Sequence, residues 1–237
     1  MSPIQIRRPG TAAVQAGLWA QVRAVSFDLG GTLVITEAHP TTGQVAQVLG
    51  ITLDQARTLM ESGAKRCETT PAKLAVELAD QAQRPELTAP LHAVLNAARE
   101  RAASPQPFPD AVPLLEHLRE RGFALVAMTN SLGSSIPLLE PELFGLLDAV
   151  FYSARTGHCK PEPEAFNAVQ QALGLAPHQL LHVGDSARAD VQGAAAAGWH
   201  AAYLHRPSDP RLPAPTAPEV VRLNTLASLP RLLPTLR

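Results

Sequence analysis

The chain has 237 residues, with 20 Lys plus Arg against 21 Asp plus Glu and a formal net charge of −1. No run of like charge stands out, which excludes the electrostatic footprint of a nucleic-acid binder or of a protein docked on an anionic membrane. With 46% hydrophobic and 17% charged residues, disorder is excluded as the dominant state, and a chain this long can bury a core without disulfides or a structural metal.

Aromatic residues are only 4% of the chain, so the core is expected to be aliphatic. Cys67 and Cys159 lie in different segments with no paired spacing and read as buried or idle thiols. The first segment carries Arg7 and Arg8 and then an alanine-rich stretch that Gln15 and Gly17 interrupt. It reads as a poor signal peptide, and residues 1–20 are expected to add a helix packed on the core. No window approaches ~18 uninterrupted apolar residues, so no membrane span is expected and the expected location is the cytoplasm.

Residues 23–28 form a short apolar run that ends at Asp28 before Gly30 and Gly31, the pattern of a buried strand entering a loop. From about His39 to Ala103 the pattern is helical, with segments over 42–49, 53–64, 72–83 and 91–103 punctuated by Pro71, Pro85 and Pro90. Strand-like runs return at 123–129, 149–152, 179–184, 200–204 and 220–223. Helical runs are expected over 111–121, 163–173 and 190–197, stopped by Gly122, Gly174 and Gly198. A proline-rich connector is expected over 207–218. Strand and helix in alternation predict an α/β fold, a Rossmann-like parallel sheet with helices on its faces. The expected division is an α/β core of residues 1–36 and 105–237 with an inserted helical subdomain over 37–104.

In such sheets ligands bind at the carboxyl ends of the strands, and the chemistry-bearing residues fall there. Asp28 ends the first strand, Thr129 and Asn130 end the second, and Asp185 follows Val183-Gly184, with Asp190 five residues on. Lys160 lies in His158-Cys159-Lys160-Pro161. Carboxylates at 28, 185 and 190 offer the hard oxygen donors that Mg2+ uses beside a phosphate. A carboxylate at a strand end can also serve as a nucleophile. Thr129, Asn130 and loop amides can hydrogen-bond phosphoryl oxygens, while Lys160 supplies positive charge against them.

These segments, Phe27-Asp28-Leu29-Gly30-Gly31-Thr32-Leu33, Met128-Thr129-Asn130-Ser131, His158 to Pro163 and Val183-Gly184-Asp185-Ser186 with Asp190, resemble the signature of the haloacid dehalogenase superfamily in the family's order. The helical insertion sits where that family carries a small cap. The resemblance implies a Mg2+-dependent phosphatase acting on a small phosphorylated metabolite through an aspartyl-phosphate intermediate. It implies that Asp28 is the nucleophile and a metal ligand, and that the Gly30 carbonyl and Asp185 are further ligands. Asp190 would support the metal from nearby. Thr129 and Lys160 would hold the phosphoryl group with Asn130 beside them.

One position departs from the family. Its phosphatases usually carry a second Asp two residues after the nucleophile, and here that residue is Gly30. That Asp protonates the leaving group and activates water, work usually worth roughly 10²–10⁴-fold in rate. Three readings follow: a phosphatase that is slow, restricted to good leaving groups or served by a substitute base such as Glu37 or His39; a phosphonatase-like C–P hydrolase using Lys65 or Lys73; or a non-catalytic phospho-ligand-binding protein. Gly30 disfavours a haloacid dehalogenase proper, where an aromatic residue is usual. Of the other candidates, His92 and His117 read as surface residues, His158 as structural, His182 as a packed strand residue, and both cap lysines as solvated.

Overall fold

The computed structural model describes residues 19–36, 41–137, 141–206 and 220–236. Among them the strands are β1 Ala24–Phe27, β2 Ala124–Thr129, β3 Ala149–Tyr152, β4 Leu180–Gly184, β5 His200–Leu204 and β6 Val221–Leu223. Helices α1 Thr41–Leu49, α2 Leu53–Leu59, α3 Pro71–Gln81 and α4 Thr88–Ala102 follow β1. Helix α5 Ala111–Glu120 precedes β2, α6 Pro163–Leu173 precedes β4, and α7 Gly193–Ala196 precedes β5. Single helical turns at Pro141–Phe144 and Ser153–Thr156 flank β3.

The strands form one sheet in the order β3-β2-β1-β4-β5-β6, and every pair is parallel. A parallel sheet covered on both faces needs strands that are apolar almost throughout, and every residue of β1 and β4 is buried. Side-chain alternation divides them between two cores. Val25, Phe27, Leu181 and Val183 meet Leu114, Leu115 and Leu118 of α5 on one face. Ala24, Val126, Met128 and Leu180 meet Phe166 and Val169 of α6 on the other. From β1 to β3 the chain steps one way across the sheet, and from β4 to β6 the other way. The topological switch therefore lies between β1 and β4, the place where such sheets open a crevice for ligands.

Helices α1 to α4 surround a separate apolar cluster. Helix α3 buries Pro71, Leu74, Ala75, Leu78 and Ala79, the i, i+3, i+4, i+7, i+8 stripe of an amphipathic helix. It packs with Leu91 and Leu95 of α4, Val45 and Leu49 of α1, and Met60. Their starts are fixed locally: Thr52 and Gln55 form a capping box on α2, and the Thr70 hydroxyl caps α3 ahead of Pro71. Leu132, from the loop after β2, belongs to the same cluster. In that loop Gly133 donates to the Ala64 carbonyl at 2.9 Å and accepts from Thr69 N–H at 3.1 Å. A Cβ at Gly133 would stand 1.7 Å from the Cys67 carbonyl oxygen, so only glycine permits this approach.

Three expected helices differ in detail. The one expected over 91–103 starts at Thr88, with Pro90 in its first turn. The stretch 53–64 is helical, but its end widens into an i to i+5 turn over Met60–Ala64, with Lys65 N–H bonded to the Met60 carbonyl at 3.0 Å. The helix expected over 190–197 begins earlier, at Ala187, because Ser186 caps it by accepting from Ala189 N–H at 3.1 Å. Of the helix expected over 1–20, residues 1–18 lie outside the described residues; Trp19 and Val22, which follow, are buried in the core. The connector 207–218 also lies outside them. No helix among the described residues is long and apolar enough to cross a membrane.

Asp110, at the start of α5, fastens the end of β5 and the C-terminal segment to the core. It takes both arms of the Arg206 guanidinium at 3.1 and 3.0 Å, the Thr225 hydroxyl at 2.6 Å and the Leu226 N–H at 3.0 Å. Burial pushes its carboxyl pKa up, but Arg206, Thr225 and Leu226 together pull it below the ordinary value. A depressed folded pKa stabilises the fold above the unfolded value and loses that stabilisation as pH falls through the folded one. Replacement Asp110→Ala should lower unfolding free energy by about 2–3 kcal/mol at pH 7, since it strands a nearly buried arginine. The difference from wild type should shrink below about pH 4; urea titrations at pH 7 and pH 3.5 measure both.

Candidate active site

The strand register builds the site. Phe27 pairs with Ala127 on one side and Val183 on the other. Asp28, Thr129 and Asp185 therefore emerge together at the carboxyl ends of the three central strands. The Asp28 N–H donates to the Val183 carbonyl at 2.9 Å, continuing the β4 pairing by one residue. The chain then turns back on itself, Gly31 and Val34 N–H bonding to the Val34 and Leu29 carbonyls, both at 2.8 Å. Gly31 has φ +79°, and a Cβ there would lie 2.1 Å from an Asp185 carboxylate oxygen. Both its conformation and its contact require glycine.

Gly30 is different. Its φ is outside the left-handed region, and an added Cβ would meet only the Thr36 methyl, at 3.0 Å. The backbone therefore does not demand glycine, and a Cβ is accommodated once that methyl shifts by a few tenths of an ångström.

Lys160 is buried and its ammonium has three acceptors: Asp28 Oδ1 and Asp190 Oδ1, each at 2.6 Å, and the Met128 carbonyl at 2.9 Å. All three N–H bonds are used. Its backbone is gripped by the Asn130 side chain, which donates from Nδ2 to the Lys160 carbonyl at 2.7 Å and accepts the Lys160 N–H at 2.8 Å. The Asn130 amide thus holds the lysine loop against the end of β2.

Asp190 is also buried. Its Oδ1 accepts from Lys160 and from His182 Nε2 at 3.0 Å, while its Oδ2 accepts from Ser186 N–H at 2.8 Å. Gly184 makes room for it, since a Cβ there would lie 2.2 Å from Asp190 Cγ.

Burial raises the Asp28 carboxyl, against the pull of Lys160, to a pKa of about 6. Asp190 is held well below the usual carboxylate range, because Lys160 and His182 outweigh its burial. Lys160 stays firmly protonated between the two, Asp190 and Asp28 overcoming the cost of desolvation. His182 is pushed down, chiefly by burial.

Asp28, Asp185 and Asp190 each place a carboxylate oxygen within 4.8 Å of the others. A cavity of about 240 Å³ is lined by Asp28, Gly30, Thr129, Asn130, Lys160, Asp185 and Asp190. The seven residues to which the resemblance assigns metal, nucleophile or phosphoryl contacts thus line one cavity. A second cavity of about 510 Å³ shares Gly30 and Thr129 with the first and extends toward α4. Its walls include Leu29, Val34, Ile35, Ala102, Pro105 and Pro137, with Arg101 and Thr41 as polar points.

Other candidates are placed elsewhere. Lys73 is solvated as expected, its side chain 71% exposed. Lys65 is not: it is half-buried, and burial pushes its pKa down. It lines neither cavity. Glu37 and His39 lie outside the described residues. Local sequence pattern does not reveal the roles of Ser26, which touches His182, or of Ser186, which caps a helix and anchors Asp190. The signal for Ser26 and His182 was a polar residue at matching positions of two otherwise apolar strands.

A family model for haloacid dehalogenase-like hydrolases matches residues 22–198. Among curated proteins, the chain is 36% identical over 121 residues to a phosphoserine phosphatase of Thermus thermophilus, covering 47% of each. It is 33% identical over 103 residues to a glyceraldehyde 3-phosphate phosphatase of Methanopyrus kandleri, covering 43% of this chain and 44% of that protein. The match thus spans about half the length of these relatives. Among solved structures, a HAD phosphatase from Thermococcus onnurineus superposes with TM-score 0.55 at 25% identity, over 91% of this chain and 100% of the other. A 2-haloacid dehalogenase from Pseudomonas syringae shares the fold, with TM-score 0.59 at 21% identity over 89% and 97% of the two chains. The chain belongs to the haloacid dehalogenase-like hydrolases.

Proposed function

We propose that the protein is a Mg2+-dependent phosphatase in which Asp28 is the nucleophile and whose natural substrate has a leaving group that departs without a proton donor. The observation that carries this reading is the buried Asp28–Lys160–Asp190 constellation beside a position, Gly30, with no acid or base. An Asp28 oxygen attacks phosphorus, a P–O bond to the carboxylate forms, and the P–O bond to the leaving group breaks. As Asp28 becomes esterified it releases its Lys160 hydrogen bond, and that N–H turns to a phosphoryl oxygen. Thr129 faces the same oxygens. Water then attacks the phosphorus, its proton passing to a phosphoryl oxygen, and the P–O bond to Asp28 breaks to free inorganic phosphate and the carboxylate.

The donor set fits a divalent cation. Three carboxylates against one ammonium leave two negative charges in a site of hard oxygen donors. Asp28, the Gly30 carbonyl and Asp185 would hold Mg2+, with Asp190 supporting it through the second lone pair of Oδ2. The ion would offset negative charge on the phosphoryl oxygens.

The larger cavity, bordered by α4 of the helical stretch 37–104, receives the leaving group, and that stretch serves as the cap. Its mainly apolar wall suits an aryl or similarly unsaturated body. Phosphatase names among the relatives agree with a small phosphorylated substrate.

The test is Mg2+-dependent phosphate release from p-nitrophenyl phosphate and from an alkyl phosphate by wild type and Gly30→Asp. Wild type should cleave the aryl ester and barely touch the alkyl one. Gly30→Asp should speed the alkyl ester by about 10²-fold or more, because it restores an acid at a position whose backbone does not require glycine. A wild type inert to both esters that still binds Mg2+ and phosphate would replace this reading with that of a phospho-ligand-binding protein.

A further inference from the structure

Asp190, which accepts from Lys160, also makes contact with a further buried polar group that phosphoryl transfer does not use. Ser26 and His182 are register partners on the adjacent strands β1 and β4. Their side chains point to the same face, and His182 Nδ1 lies 3.0 Å from Ser26 Oγ while Nε2 lies 3.0 Å from Asp190 Oδ1. The imidazole has no solvent exposure and Ser26 only 2%. A carboxylate accepts only, so the ring proton on this side belongs to Nε2; Nδ1 is then left to accept from the Ser26 hydroxyl. One neutral tautomer satisfies both contacts. The ring is further fixed by Phe166, edge-on at 5.6 Å between centroids and 88° between planes.

An apolar side chain at 182 would suit this core better than a histidine that must be fully hydrogen-bonded to be tolerated. What the histidine adds is a donor aimed at one oxygen, the same Asp190 Oδ1 that accepts from Lys160. Lys160 in turn makes its third contact with Asp28, so the position of the ammonium at the reacting carboxylate depends on where Asp190 Oδ1 is held.

We propose that His182, locked by Ser26, is a positioning residue that sets Lys160 against Asp28 through Asp190; this rests on the reading of Lys160 as the group that meets the phosphoryl oxygens. The order of support runs from β1 and β4 backbone register, through Ser26 and His182, to Asp190 and the ammonium. Errors at the first link propagate to the last, and a misplacement of about 1 Å at a reacting group can cost about 10²-fold in rate.

The chain has three lysines, Lys65, Lys73 and Lys160, so side-chain 15N labelling of lysine resolves the Lys160 ammonium by NMR. Its protons should exchange with water far more slowly than those of Lys73. In His182→Leu, exchange should speed by about tenfold or more. The kcat for p-nitrophenyl phosphate should fall by about 10²-fold with KM within about threefold. His182→Gln, which keeps an N–H donor near the Nε2 position, should recover most of both.

Ser26→Ala, a smaller change, should speed exchange by about threefold to tenfold and decides the matter if His182→Leu does not fold. Wild-type exchange in a folded His182→Leu, or in Ser26→Ala when His182→Leu is unfolded, overturns the proposal. So does a wild-type Lys160 that exchanges as fast as Lys73. If exchange follows His182 while no form of the protein releases phosphate, the positioning role stands and the phosphatase reading falls.

Discussion

Asp28→Asn should abolish phosphate release, by at least about 10⁴-fold, while leaving the fold intact. No other group in the 240 Å³ cavity has an oxygen nucleophile in the same relation to Lys160: Asp190 is committed to Lys160, His182 and Ser186. The amide keeps the shape of the carboxylate and can still accept from Lys160. It also relieves a cost. The Asp28 pKa is raised from 3.8 to about 6, first by burial, so its ionised form opposes folding at neutral pH. A raised folded pKa means the native state binds the extra proton between those values, and wild type gains stability as pH falls from about 6 toward 4. In metal-free buffer at pH 7.5, Asp28→Asn should therefore melt no lower than wild type, and wild type should gain on the variant as pH is lowered to 5. Burst-phase kinetics and thermal unfolding at the two pH values test this. Residual turnover within tenfold of wild type would remove Asp28 from the nucleophile's role.

Lys160→Met should cost both activity and stability. The ammonium lies between two buried carboxylates at 2.6 Å from each. Removing it leaves like charges facing one another out of water, and losing one partner of a buried charge cluster costs about 3–5 kcal/mol. Rate should fall by about 10²–10³-fold through loss of the donor to the phosphoryl oxygens. The stability loss should be pH-dependent with a definite sign. Without the cation both carboxyl pKa values rise, so protonation at lower pH restores part of the stability. Urea unfolding at pH 5 and pH 8 should show the smaller deficit at pH 5, and equal deficits would contradict the electrostatic account. Lys160→Arg should rescue neither property, because a planar guanidinium cannot place donors on three acceptors arranged as a tripod around one nitrogen.

The strands of this protein are legible because parallel strands buried on both faces leave near-continuous apolar runs between glycines and polar turn residues. The runs at 149–152 and 200–204 coincide with β3 and β5, those at 123–129, 179–184 and 220–223 begin one residue early, and 23–28 exceeds β1 by one residue at each end. The α3 stripe is equally plain, since Leu74, Leu78 and their neighbours repeat at helical spacing. Less legible were ends governed by side-chain caps: Ser186 starts its helix three residues before the alanine-rich run that draws attention. The half-burial of Lys65 was hidden for another reason. Lys65 follows the turn Met60–Ala64, whose last carbonyl accepts from Gly133 N–H, a contact between segments far apart in sequence.

By itself the sequence determined the α/β class, the run of helices between β1 and β2, and the residues that gather at the strand ends, Asp28, Thr129, Lys160, Asp185 and Asp190. It also marked Gly30 as the position that departs from the family's usual pattern. These follow from local patterns, in which hydrophobic period and chain order carry the information. Only the tertiary structure decided how those residues are held. It showed that Asn130 grips the lysine loop, that Gly31 and Gly184 make room for Asp185 and Asp190, and that Gly30 is not required by its backbone. It also paired Ser26 with His182 behind Asp190. The physical reason is that hydrogen bonds and steric fits act over a few ångströms between residues far apart in the chain, Ser26 and His182 being separated by 156 positions. Strand register, which brings such residues together, is set by the packing of the whole sheet rather than by any one segment.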